Sequence, residues 1–209
     1  MIKHIFIAIL VMAFQSCQSQ DNAAGTDILV GGPCEGCEAI HEYGDKKLAT
    51  IDTLPGFKEN EPKLKIMGTV FQKDGKTPAE DVILYIYHTN RKGIYETKGD
   101  EEGWARRHGF IRGWVKTNAN GNYTFYTFRP ASYPDRNVPE HIHLTVKESD
   151  KNEYYLEGYH FDDDPLLTNS ERVKLRKRGG SGIVTPELIG GIYLVQRDIV
   201  LGLNIPDYD

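Results

Sequence analysis

From residue 63 onward the chain is written in short runs whose apolar and polar residues alternate. This period of two constrains the fold more than any other feature, because it places successive side chains on opposite faces of a strand. The run 63–71 (KLKIMGTVF) stops at the turn pair Asp74-Gly75. Residues 82–87 are β-branched and aromatic, 110–117 follow a glycine, and Asn118-Ala119-Asn120-Gly121 turns the chain back into 123–128. Residues 141–147 and 154–161 form a further pair, and 192–201 is a last apolar run. Strands at this spacing predict an all-β fold, an antiparallel β-sandwich with long loops. One short helix is expected over 170–178, capped by Thr168 or Asn169, stopped by Gly179-Gly180, and ending in a solvated basic turn. At 209 residues there is room for one domain with a real core. The net charge of -5 argues against a nucleic-acid partner held by phosphate attraction.

The first residues read as an address. Lys3 precedes an apolar run over 5–14, which has signal-peptide length and is too short to span a bilayer. It ends at Gln15-Ser16-Cys17, which resembles the lipobox of bacterial lipoproteins, although Phe14 and Gln15 replace the usual small or aliphatic residues. The resemblance implies export, with Cys17 as the acylated first residue anchoring the protein to the cell envelope, on the outer membrane or periplasmic face. An ordinary secretory signal is the alternative. The chain thus divides into a signal (1–17), a tether and arm (18–60) and a sandwich domain (61–209). The arm carries Cys34-Glu35-Gly36-Cys37. With no βαβ context and no second ligand pair nearby, a disulfide clip is expected rather than a redox or zinc site.

The sharpest chemical feature is Pro139-Glu140-His141-Ile142-His143. On a strand, His141 and His143 point to one side and can reach one ion, with Ile142 turned into the opposite layer. A His-x-His pair alone is compatible with zinc, copper, iron or no metal. Its candidate partners are tyrosines. Ser132-Tyr133-Pro134 follows a strand, and Gly93-Ile94-Tyr95 lies beyond the strand that ends at Tyr87-His88. Phenolates are hard anionic donors that favour Fe(III), whereas zinc prefers thiolate, imidazole or carboxylate. Tyr85, Tyr87, Tyr123 and Tyr126 sit in alternating runs and read as packing. His88 and His108 are candidate supporting groups, His160 beside an acidic run is expected to be solvated, and Asp162-Asp163-Asp164 reads as a turn.

Taken in order, the motifs HTNRKGIY (88–95), IRG (111–113), GNYTF (121–125), PASYP (130–134) and PEHIH (139–143) resemble the intradiol ring-cleavage dioxygenases. The likeness runs over 63–165 and closes more weakly at FDDDP (161–165). It implies a mononuclear Fe(III) on a β-sandwich. It also implies cleavage of a catechol between its hydroxyl-bearing carbons, with both atoms of O2 entering a cis,cis-muconate. By the same resemblance, Tyr95 and His141 are equatorial ligands and Tyr133 and His143 axial ones. Tyr133 then leaves the ion and takes one substrate proton. The family usually carries an arginine where this chain has Val138, and a glutamine where it has Glu157 or Gly158. Arg136 and Arg112 are the nearby cations expected to stand in. The alternative reading is a surface-anchored binding module of the same family without turnover.

Overall fold

The computed structural model describes residues 29–209; the expected signal and Cys17 lie outside the described residues. Seven strands precede and form the body: β1 (Ile51–Thr53), β2 (Lys63–Phe71), β3 (Ile83–Tyr87), β4 (Arg112–Lys116), β5 (Asn122–Phe128), β6 (His141–Lys147) and β7 (Tyr154–Tyr155). Five more complete the sheets: β8 (Tyr159–Phe161), β9 (Ile183–Val184), β10 (Glu187–Ile189), β11 (Ile192–Gln196) and β12 (Ile199–Val200). One sheet runs β1-β5-β2-β11-β10, with β12 also on β2; the other runs β4-β3-β6-β8-β9, with β7 on β6. Alternation decides which side chains meet between them. Leu64, Ile66, Val70 and Phe125 of the first sheet face Leu84, Ile86, Val115, Ile142, Leu144 and Val146 of the second in one buried cluster. Each such side chain contributes about 1.5–3 kcal/mol by leaving water.

The sandwich is as expected, but its sheets are mixed rather than purely antiparallel. The pairs β2/β5, β3/β4 and β3/β6 are antiparallel. The pairs β1/β5, β2/β11, β2/β12 and β8/β9 are parallel. The parallel strands come from the amino-terminal arm and the carboxyl-terminal tail, whose long connections let a strand enter a sheet in either direction. The arm is therefore part of the sandwich, since β1 lies within it and pairs with β5.

Helix is scarce. The expected one is present as α2 (Asn169–Lys174), capped by the Thr168 hydroxyl accepting from Glu171 N; it ends early because Leu175 is extended. A four-residue turn, α1 (Ala105–His108), was not legible from the sequence. Among the described residues no helix is long and apolar enough to cross a membrane.

Residues 37–41 lie on the outer face of the second sheet, whereas Val30 joins the main buried cluster. Cys34 and Cys37 are disulfide-bonded, as the spacing predicted. Ala39 and Ile40 bury against Tyr85 and Trp114 of that outer face. The arm is tied down where it begins: Gly31 N donates to Pro206 O (2.8 Å), and buried Arg178 donates to Gly31 O (3.0 Å). A side chain at Gly31 would run into Tyr154 and Arg178, so the approach requires glycine there.

Candidate metal centre

Strand β6 turns Ile142, Leu144 and Val146 into the core, which leaves His141, His143 and Thr145 on the outer face. The turn before the strand is fixed by carboxylates. Glu140 N donates to buried Asp164 (2.6 Å), and Arg129 pairs with Glu140 and Asp163. The acidic run 162–164 is thus the expected turn, used to brace the strand entry. His141 Nδ1 then donates to Pro139 O at 2.7 Å, which leaves its Nε2 without a proton.

That nitrogen lies 3.1 Å from His143 Nε2. Two phenols close on the same point. Tyr95 Oη is 2.7 Å from His143 Nε2 and 2.6 Å from Tyr133 Oη. Tyr133 Oη is 3.3 Å from His141 Nε2 and 3.5 Å from His143 Nε2. The loops that bring them together depend on Gly93, which adopts φ 75°. A Cβ at Gly93 would collide with the Ser132 carbonyl, so only glycine lets the Tyr95 loop lie against the Tyr133 loop.

The donor chemistry fits a hard, highly charged cation. Burial holds both imidazoles below the ordinary histidine value, so they are neutral, the form that binds metal. Burial raises both phenols above the ordinary tyrosine value, and for Tyr95 the neighbouring Tyr133 adds to it. Only a strong positive charge at the centre would ionise them. Among the described residues no three His, Cys, Asp or Glu side chains gather to hold an ion. The side chains that meet the two imidazoles at this point are phenols rather than thiolates or carboxylates.

A family model described as Dioxygenase matches residues 42–195, nearly the whole of the described sandwich. The chain belongs to the intradiol ring-cleavage dioxygenases. Catechol 1,2-dioxygenase 1 of Acinetobacter lwoffii is 32% identical, over 68% of this chain and 48% of its own. The protocatechuate 3,4-dioxygenase beta chain of Burkholderia cepacia is 28% identical, over 60% of this chain and 58% of its own. The chain thus spans about half the length of these curated relatives. Among solved structures, the dioxygenase domain of a dioxygenase carbohydrate-binding protein fusion from Streptomyces sp. SirexAA-E superposes with a TM-score of 0.55 at 20% identity. That match covers 85% of this chain and 97% of the other. 3-Chlorocatechol 1,2-dioxygenase of Rhodococcus opacus 1CP gives 0.55 at 18% identity, over 76% and 68%. At these identities the structural matches show the shared fold.

Within this dioxygenase-family fold, the four expected ligands come together and the expected cations separate. Arg136 lies 6.0 Å from the Tyr133 ring and lines a cavity with Tyr95 and Tyr133. Arg112 does not reach the cluster. It pairs with Glu42 (2.5 Å), lies against Trp114 and lines a separate cavity with Asp52 and Phe110. Its register partner Tyr87 is nearer to His143, so strand order directs Arg112 away. His88 is a structural residue, bonded to Thr89 O (2.8 Å) and Thr127 Oγ1 (2.7 Å) in the core. His160 is half-buried opposite His141 on β8, with ring centroids 5.8 Å apart, rather than solvated.

The sequence reading missed Tyr87, Trp104, Arg107 and Glu35. Tyr87, whose alternating run predicts a packing role, stacks on His143 with centroids 4.4 Å apart and planes 9° from parallel; His108 stacks on its other face at 3.7 Å and 6°. His108 Nδ1 is bonded to Tyr85 Oη (2.9 Å). The signal was the outward-facing Tyr85, Tyr87 and Trp114, since large aromatics on the face away from a sandwich core need a cover.

Proposed function

We propose that the chain is a non-haem Fe(III) intradiol dioxygenase, cleaving a catechol-type aromatic with O2 to a cis,cis-muconate-type product. The convergence of Tyr95, Tyr133, His141 and His143 on one point carries this reading. A ferric ion held there would draw electron density from the two diol oxygens and open the ring to O2. The chain's own residues do the rest. Tyr87 and Pro139 O fix the two imidazoles, and Tyr95 lies on the rigid Gly93 turn. Once ionised by the positive charge it would help to hold, Tyr133 could take one substrate hydroxyl proton at its Oη and turn away as a neutral phenol, the second proton leaving to solvent. Its successor Pro134 restricts the backbone there, so a swing of the side chain is the available motion. Both oxygen atoms of O2 enter the product, and the ring bond between the hydroxyl-bearing carbons breaks, so no further reductant is needed.

Two cavities, of about 320 and 210 Å3, meet at Glu35, Tyr87 and His143. They form a small aromatic-walled space suited to one ring. The Cys34–Cys37 disulfide supports the accompanying proposal of an oxidising compartment, with Cys17 as the lipid anchor in the cell envelope. Val138 favours the rival binding module without turnover; its carbonyl merely accepts from Ser132 Oγ (2.5 Å). Purified protein loaded with iron should show the broad visible absorption of phenolate-to-iron charge transfer, lost or shifted in Tyr95→Phe and in Tyr133→Phe. It should also consume O2 with a catechol. Colourless, iron-free protein after iron-replete expression rules out the reading, and a coloured protein inert to a catechol panel leaves the module.

A further inference from the structure

The cavity beside the four-donor cluster is lined by Tyr87, Tyr95, Tyr133, His143, Trp104 and His108, together with one acid and one base, Glu35 and Arg107. Burial pushes His108 down to about 4, so it is neutral at pH 7. Glu35 and Arg107 are therefore the formally charged side chains on that wall, and they are paired with each other. Neither is loosely placed. Glu35 sits inside the four-residue loop closed by Cys34 and Cys37. Cys37 is buried, its sulfur 3.9 Å from Thr145 Oγ1 on β6. Gly36 has φ 87°, and a Cβ there would come within 2.8 Å of His108 Nε2, so the loop is seated on the ring stack. Arg107 belongs to α1, and its guanidinium lies 5.4 Å from the Trp104 ring. The pair is open to solvent (side chains 62% and 73% exposed), so an incoming molecule can reach it.

Resting on the dioxygenase reading above, we propose that Glu35 is a resident carboxylate that occupies Arg107 and so selects ring diols without a carboxylate over dihydroxybenzoates. A benzoate diol entering this cavity brings a second carboxylate. It must displace Glu35 to pair with Arg107, or sit beside a carboxylate already there; a neutral catechol meets neither obstacle. The preference is imposed by a repulsive group, held in place by the disulfide loop.

The test is equilibrium titration of the iron-loaded full chain, without oxygen, with catechol and with 3,4-dihydroxybenzoate, read through the change in the visible band. The quantity of interest is the ratio of the two affinities. Glu35→Gln should move the ratio toward 3,4-dihydroxybenzoate by roughly fivefold, the size expected for an exposed ion pair. Arg107→Gln, which leaves Glu35 unneutralised, should move it the opposite way. The double variant should show no shift toward the benzoate. A ratio that moves less than twofold in Glu35→Gln, or moves equally in the double variant, overturns the proposal while the dioxygenase reading stands. If no band forms, or catechol does not perturb it, the dioxygenase reading fails and takes this one with it.

Discussion

At the scale of single residues, the site depends on how neutral rings are held before any charge arrives. Tyr87 is the plainest case, since it lies face to face with both His108 and His143. Tyr87→Ala should cost about 3 kcal/mol of stability through the lost ring volume and stacking. It should also weaken Fe(III) binding, because His143 loses the surface that orients it. Tyr87→Phe keeps the stack and should keep both properties. Denaturant unfolding of the metal-free protein and a visible titration with Fe(III) check the pair; equal iron affinity in Tyr87→Ala would show that the stack does not orient the ligand. That these four side chains would converge was legible in the sequence, from a His-x-His on a strand and two tyrosine motifs in a recognisable order. Tyr87 was not, because the same alternation that marks a packed strand also describes a ring packed against a ligand. Arg112 was misread for a related reason. A one-dimensional neighbour of the motif is sent elsewhere by register, and its guanidinium is taken by Glu42.

At the scale of elements, loops rather than strands set the geometry of the phenols. The left-handed turn at Gly93 lets residues 90–95 rest on the Ser132 carbonyl. Gly93→Ala should lose about 2 kcal/mol or more from backbone strain alone. It should also reduce the charge-transfer band out of proportion to the loss of stability, since Tyr95 would be pushed off Tyr133. Thermal unfolding and the visible spectrum, measured on one preparation, separate the two effects; a full-strength band would refute the loop's role. The strands were legible because their period is two. The arm's position was not, because nothing local in 37–41 says that its partners are Tyr85 and Trp114, far along the chain.

At the scale of the whole molecule, stability carries a pH dependence that originates in the core. Burial pushes His88 down to about 4, while an unfolded histidine titrates near 6.5. Between those values the unfolded chain binds the extra proton, so stability is complete above about 6.5 and drains away as pH falls toward 4. The loss from His88 should be about 3 kcal/mol. Urea unfolding of metal-free protein at pH 7, 5.5 and 4 measures it: His88→Gln should make the profile shallower by that amount, the remaining slope belonging to His108 and the paired imidazoles, and an unchanged profile in that variant would assign the acid sensitivity elsewhere. Another whole-molecule property follows from the bond between Gly31 N and Pro206 O, which ties the beginning of the described chain to its end. A mechanical load entering through the amino terminus is borne first by the two bonds between Val30 and Asn152, then by the Gly31–Pro206 bond and Arg178, and next by the disulfide loop. The wall beside the tyrosine–histidine cluster therefore peels away before either sheet has to shear.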